Sequence, residues 1–385
     1  MNCSRYISEL EELERRGMLR SIHQLEAHGK WCKRGEDKLL NLSSNDYLAL
    51  FEMGDLVDEF ISSYKELPRF SSASSRLLTG NCVAAMELEQ TIANLFNKES
   101  ALLFNSGYHA NVGIISALTS SQSYIIADKL VHASIIDGIK LSGAEFTRFR
   151  HNDIDHLESI IKKVKDSYNQ IFIITEGVFS MGGDKGKINQ IIELKDRYDN
   201  LVVYVDEAHS FGVFGDGGTG VCEEQGVVDK VDIIVGTFGK AISSVGAFAV
   251  VPNAVRNYLI NKARSLIFST ALPPINIEWS KFIVERLNSF KSRREHLVTI
   301  SVSLQSGITK LCSESFSQSQ IVTLTVGDAA RAVELSKDLE RRGFYALAVR
   351  PPTVAQGCSG IRFSLTSAIT QSEINELLNC LYEVS

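Results

Sequence analysis

The chain has 385 residues, of which 44% are hydrophobic and 22% charged, and a formal net charge of −6. That balance belongs to a soluble globular protein with more than one core, and the acidic excess argues against a general nucleic-acid-binding surface. Seven cysteines are scattered without a C-x-x-C pair, which argues against a disulfide framework or a zinc site and for a reducing cytoplasm.

The opening residues, MNCSRYISELEELERRG, lack the apolar core of a signal peptide, and no apolar run has the length of a membrane span. Residues 4–16 predict a short amphipathic helix, capped by Ser4 and ended by Gly17. Gly35-Glu36-Asp37 predicts a hairpin leading into LLNLSSNDYLAL. From about 85 to 275, helical pattern alternates with the apolar runs ALLFN (101–105), YIIAD (124–128), IFIITE (171–176), LVVYVDE (201–207), DIIVGT (232–237) and AFAVV (247–251). Rich in β-branched residues and without alternation, these runs predict strands covered on both faces, hence a largely parallel sheet flanked by helices. After Pro273-Pro274 a long helical stretch, 275–310, precedes IVTLTVG, a charged helix near 328–342, a strand near 344–349, IRFSLTS and a final helix from about 371. The expected organisation is an N-terminal helix and hairpin segment (1–45), a large α/β domain (46–280) and a smaller α+β C-terminal domain (281–385).

Ligands of open α/β sheets bind beyond the carboxyl ends of the strands. Here ALLF ends in Asn105-Ser106-Gly107-Tyr108, YIIAD leads to His132, IFIITE leads to Ser180, LVVYV ends in Asp206-Glu207-Ala208-His209, and DIIVGT leads to Lys240. Singly each has an ordinary reading: a surface lysine, a histidine at a helix start, turns before helices, and a flexible loop at Gly217-Gly218-Thr219-Gly220. Together they form the set that pyridoxal 5′-phosphate requires. That cofactor needs a lysine for a Schiff base, here Lys240, and a carboxylate for its ring nitrogen, here Asp206. His132 suits the flat face of the ring, and Gly107, Tyr108 and Thr237 suit the phosphate and the ring periphery.

Other chemistries fit less well. DEAH (206–209) names a helicase box, but an NTPase needs G-x-x-x-x-G-K-[ST] upstream. Gly29-Lys30, Gly186-Lys187 and Gly239-Lys240 are followed by Trp31, Ile188 and Ala241. EGVFSMGG around Ser180 is not the G-x-S-x-G of a hydrolase elbow, and Asp206 with His209 is too small a set for a metal.

The chain resembles the α-oxoamine synthase group of fold-type I pyridoxal-phosphate enzymes. The resemblance rests on NLSSNDYLAL (41–50), SSRLLTGN (74–81), ALLFNSGYHANVG (101–113), DKLVHASIIDGIKLSGA (128–144), TEGVFSMGGDKGKI (175–188), VVYVDEAHSFGVFGDGGTGV (202–221), GTFGKAISSVGAFAV (236–250), IFSTALPP (267–274) and VRPPTVAQGCSGIRFSLTS (349–367). It implies a cytoplasmic homodimer that joins an amino acid to an acyl thioester, carried on coenzyme A or an acyl-carrier protein, with loss of CO₂. SSNDYLAL, RPPTV and the compact chain are most similar to the branch that uses L-alanine and a pimeloyl thioester in biotin synthesis. Sister branches use glycine with a short acyl-CoA or serine with a long one. By the same resemblance Lys240 is the cofactor lysine and acid–base, Asp206 faces the ring nitrogen and His132 stacks on the ring. His209 and Ser180 contact the ring-oxygen side, while Ser269 and Thr270 reach the phosphate across the dimer interface. Arg362 grips the amino-acid carboxylate, with Asn45 and Arg20 as further substrate contacts. An inactive partner subunit would lack the lysine, and this chain keeps it.

The chain departs from the group's pattern at Ser71, Ser72 and Ser74, at Ala85, at Ala49 where glycine is usual, and at Ser243-Ser244 where a glycine is common. None belongs to the cofactor set.

Overall fold

A computed structural model describes residues 1–64, 68–312 and 316–384. Contacts within the chain define two units: Met53–Phe179 with Lys185–Arg294, and Met1–Glu52 with Ser180–Asp184 and Glu295–Ser385. The sequence reading expects three segments. The N-terminal hairpin groups with the C-terminal part because Phe344–Tyr345 pairs in parallel with Asp37–Asn41, giving both one sheet.

The larger unit is built on a seven-stranded sheet. Its spatial order is Ser100–Phe104, Ala247–Val251, Ile233–Thr237, Leu201–Asp206, Gln170–Glu176, Ser123–Asp128 and Glu145–Phe149. The last five are mutually parallel, and Ala247–Val251 runs antiparallel to both its neighbours. Six of the seven are the apolar runs read from the sequence. The seventh, EFTRF (145–149), escapes that reading because it lies at the sheet edge with mostly exposed residues and so carries no apolar run. Ile125, Ile174, Tyr204, Val235 and Ala249 are at most 1% exposed and lie in one core with helices Gly107–Leu118 and Ala133–Ser142. Each large apolar side chain buried this way contributes on the order of 1.5–3 kcal/mol, so the strands form a stiff base for the loops at their ends.

The long helical stretch after Pro273-Pro274 is two helices, Pro274–Val284 and Lys291–Leu311, parted by a 3₁₀ turn at Leu287–Phe290. The Ser289 hydroxyl donates to the Arg286 carbonyl at 2.7 Å, a local bond that competes with helix continuation. The loop at Gly217–Gly220 is tied rather than loose. Glu223 accepts from Gly217 N at 2.7 Å and from Thr219 N at 2.9 Å. The buried Glu207 carboxylate accepts from Val221 N and Cys222 N at 3.0 and 2.7 Å.

The smaller unit holds two sheets, the hairpin sheet just described and a second one of Ile321–Gly327, Ser359–Ser364 and Ala348–Val349. The single strand expected near 344–349 is therefore two short ones in different sheets. Its first helix, Ser4–Arg15, is preceded by Cys3, and Ser4 itself is helical, so the expected Ser4 cap is corrected. The Asn2 side chain does that work, accepting from Ser4 N at 3.0 Å. Gly17 adopts φ 63° just past the helix, as a terminating glycine should.

Candidate active site

Strand register builds the site. Glu176 stands opposite Asp206, and Asp206 opposite Val235, along the carboxyl ends of three adjacent parallel strands. Beyond these ends lies a cavity of about 210 Å³. Lys240, Asp206, His132 and His209 line it, together with Gly107, Tyr108 and Thr237. Those seven predicted residues come together within the larger unit.

Two helices start at this cavity. Ser106 caps Gly107–Leu118, its hydroxyl accepting from His109 N at 3.2 Å. His132 caps Ala133–Ser142 with its own ring nitrogen, which accepts from Ser134 N at 3.3 Å. The N-terminal N–H groups of such helices have no partner within the helix and favour anions. A side chain at Gly107 would have only the Thr237 Cβ, at 3.9 Å, within contact range. The Thr237 hydroxyl is engaged within its own turn, donating to Gly246 O at 2.9 Å and accepting from Gly239 N at 3.2 Å. Tyr108 donates to Asp137 at 2.6 Å, and that bond holds its phenol proton on, raising its pKa.

Asp206 is 5% exposed, and its carboxylate is held at both oxygens. Oδ1 accepts from Ala208 N at 2.9 Å and Oδ2 from Asn111 Nδ2 at 2.7 Å. Such bonds to a charged acceptor are worth about 1.5–3 kcal/mol each. Glu176, 3% exposed, accepts from the backbone N–H of His132. Burial pushes the Glu176 pKa well above the ordinary range, and the Asp206 charge adds to the push. Burial likewise lowers the His132 pKa and favours the neutral imidazole. Glu176, Asn111 and Ser134 line the cavity but escape the sequence reading. Glu176 could have been found there, because it ends a strand run as Asp206 does. Asn111 lies inside a helix, where no local signal marks it.

In the smaller unit, Arg362 donates through Nε to the Ser180 carbonyl at 2.7 Å and through Nη2 to Asn45 Oδ1 at 3.4 Å. Tyr47 is fully buried and donates to Asn45 Oδ1 at 3.1 Å. Arg20 donates to Thr353 Oγ1 at 3.1 Å, a partner not singled out in the sequence. Ser269 and Thr270 are outside the cavity lining. Thr270 forms an isolated antiparallel bridge with Ser75 and accepts from Asn105 Nδ2 at 2.7 Å.

An amine, a carboxylate of fixed orientation, imidazoles and an open helix N-terminus make one donor set. It fits a planar, phosphorylated aromatic aldehyde. Among the described residues no three His, Cys, Asp or Glu side chains are placed to hold a metal ion, and no helix is long and apolar enough to cross a membrane.

Residues 37–381 match the family described as aminotransferase class I and II. An 8-amino-7-oxononanoate synthase of Haemophilus ducreyi is 45% identical, over 98% of this chain and the whole of that protein. Among solved structures, a serine palmitoyltransferase from S. paucimobilis with a bound PLP–myriocin aldimine aligns at TM-score 0.91 and 27% identity, covering 99% of this chain and 97% of that one. An 8-amino-7-oxononanoate synthase from Francisella tularensis aligns at TM-score 0.71 and 29% identity, covering 90% and 97%.

Proposed function

We propose, from the premise that the chain belongs to the class I and II aminotransferase family and to its α-oxoamine synthase group, that it is a pyridoxal 5′-phosphate-dependent acyltransferase. In this reading it condenses L-alanine with a pimeloyl thioester, on coenzyme A or an acyl-carrier protein, giving 8-amino-7-oxononanoate, CO₂ and free thiol. The convergence of Lys240, Asp206 and His132 on one cavity carries the chemistry. The 45% identity to the Haemophilus ducreyi enzyme over nearly the whole chain supports the substrate pair.

When bound, pyridoxal phosphate supplies an electron sink for carbanion chemistry at the amino-acid α-carbon. Lys240 would anchor it, Asp206 would serve its ring nitrogen and His132 its ring face. Gly107, Tyr108 and Thr237 would hold its phosphate end, with Ser269 and Thr270 of a second copy, and His209 and Ser180 would contact its ring-oxygen side. The Lys240 Nζ takes the α-proton of alanine and returns a proton to the product. Arg362 orients the alanine carboxylate, a planar bidentate task for a guanidinium, and Asn45 and Arg20 contact substrate. A homodimer is supported by the exposed apolar side chains Phe70, Leu78, Val83, Met86 and Phe268, which a second copy would cover. The unpatterned cysteines support a reducing, cytoplasmic setting.

The serine palmitoyltransferase alignment favours one alternative, a sister condensation of serine or glycine with another acyl-CoA. The test is free-thiol release by the cofactor-loaded protein. L-Alanine, glycine and L-serine are crossed with acetyl-, succinyl-, pimeloyl- and palmitoyl-CoA and with pimeloyl-acyl-carrier protein. Release confined to alanine with a pimeloyl donor is the expected result. Release with glycine and a short donor, or serine and a long one, would move the enzyme to the sister activity.

A further inference from the structure

Five side chains at the cavity form one hydrogen-bonded network branching at Asn111. The Tyr204 hydroxyl bonds to Asn111 Oδ1, Asn111 Nδ2 bonds to Asp206 Oδ2 at 2.7 Å and to Ser134 Oγ at 2.9 Å, and Ser134 Oγ lies 2.8 Å from His132 Nδ1. Asn111, Ser134 and Tyr204 are at most 1% exposed and Asp206 5%, so water does not compete for the bonds among these four.

The chemistry of each member fixes the direction of every bond. A carboxylate can only accept, so the Asn111 atom facing Asp206 is the NH₂ group, and its other hydrogen points to Ser134 Oγ. The Asn111 oxygen then accepts from Tyr204, whose phenol burial keeps protonated. A backbone N–H can only donate, so the Ser134 N–H directed at His132 Nδ1 requires that nitrogen to be bare. The Ser134 hydroxyl, accepting from Asn111, has its own proton left to give to the same nitrogen.

We infer that Asn111 and Ser134 are positioning residues that lock His132 as the neutral imidazole with its proton on Nε2 and tie it to the Asp206 carboxylate. The ring thereby offers a donor rather than a basic nitrogen at Nε2, and its plane is fixed at Nδ1, whose one lone pair faces Ser134. Asp206 in turn has one oxygen bound to Asn111 and the other to Ala208 N, which sets the carboxylate plane. The ionisable groups that act on His132 are Asp206, Asp137 and Lys240, and burial outweighs them in favour of the neutral form. The meaning of this lock rests on the pyridoxal-phosphate reading of the cavity. The tautomer itself does not, and it can be read in the cofactor-free chain.

The experiment is ¹⁵N NMR of the full-length protein labelled at histidine nitrogens, with the His132 signals assigned by their loss in His132→Asn. Expected are a bare, hydrogen-bonded Nδ1 and a protonated Nε2 at neutral pH, in the cofactor-free protein and after pyridoxal phosphate is added. Ser134→Ala should move both signals toward tautomer averaging, and Ser134→Thr, which keeps the hydroxyl, should restore them. A proton on Nδ1, a doubly protonated ring, or Ser134→Ala signals identical to wild type would overturn the inference. If Ser134→Ala does not fold, the wild-type spectrum alone decides. Failure of thiol release with every donor would sink the proposed function and leave this result standing.

Discussion

Glu176 and Asp206 are direct neighbours across two parallel strands, paired in register at the carboxyl edge of the sheet. Two buried carboxylates so placed do not both ionise freely. Asp206 has charge-stabilising donors on both oxygens, whereas Glu176 has its pKa raised by burial and by the Asp206 charge. Of the pair, Glu176 is the one that favours its protonated form, while donors hold both Asp206 oxygens.

That assignment predicts a pH signature. A carboxyl whose folded pKa exceeds its unfolded value contributes stability below the unfolded value of about 4.5 and loses it as pH rises through the folded pKa. Glu176→Gln cannot lose a proton and keeps an acceptor for His132 N. Its stability relative to wild type should rise as the pH is raised above about 4.5 toward the folded-state pKa, measured by urea unfolding at each pH. A difference that stays flat would mean that Glu176 is ionised in the folded protein. Glu176→Ala removes the acceptor of the His132 N–H and should be about 0.5–1.5 kcal/mol less stable than Glu176→Gln at each pH.

Lys240 and Asp206 differ in what their loss should do. Lys240→Ala removes the proton carrier, and turnover should fall by at least about 10²–10⁴-fold, the usual worth of a positioned acid–base, with the fold intact by circular dichroism. Asp206→Asn leaves a hydrogen-bonding side chain of the same shape, so pyridoxal phosphate should still bind, seen by its absorbance. Amino-acid α-proton exchange into deuterated water should fall by a similar factor. Near-normal exchange would show that Asp206 is not the partner of the ring nitrogen.

Arg362 is oriented by two bonds, to the Ser180 carbonyl and to Asn45. Lysine cannot reproduce a fork anchored at one nitrogen and presented by the others. Arg362→Lys should raise the KM for the amino acid by about tenfold or more, the equivalent of at least one charge-assisted hydrogen bond, with little change for the thioester. Steady-state kinetics with each substrate varied in turn would read it. Equal effects on both KM values would contradict a role confined to the amino-acid carboxylate.

The sheet was legible because its buried strands carry unbroken apolar runs, and the polar residues that end them are the ones gathered at the cavity. What stayed hidden lacks such a signal. EFTRF is an edge strand with a wet face. The helix break at Leu287–Phe290 rests on a single serine-to-backbone bond. Asn111 and Ser134 matter through partners 95 and 2 residues away, at Asp206 and His132 respectively, and only the folded chain reveals the longer of these pairings.

Two departures from the group's pattern become intelligible through backbone angles, and they give the last prediction. Ala49 has φ 54° and Ser243 φ 50°, in the left-handed region where a Cβ crowds the following carbonyl. The group usually has glycine at the first position, and a glycine is common in the group where Ser243-Ser244 stand. Ser243 sits in the turn that follows the lysine, its N–H donating to Lys240 O at 2.9 Å and its carbonyl accepting from Trp279 Nε1 at 3.1 Å. Glycine would relieve a left-handed strain of about 1–2 kcal/mol but add unfolded-chain entropy worth about 0.4–1 kcal/mol. Ser243→Gly and Ala49→Gly should therefore each stabilise the protein by up to about 1 kcal/mol. Chemical denaturation of the two single variants measures this. A destabilised Ser243→Gly would mean that the serine side chain holds the turn beside Lys240 by more than the strain it imposes, and would make that turn, rather than a relaxed glycine one, part of how the lysine is positioned.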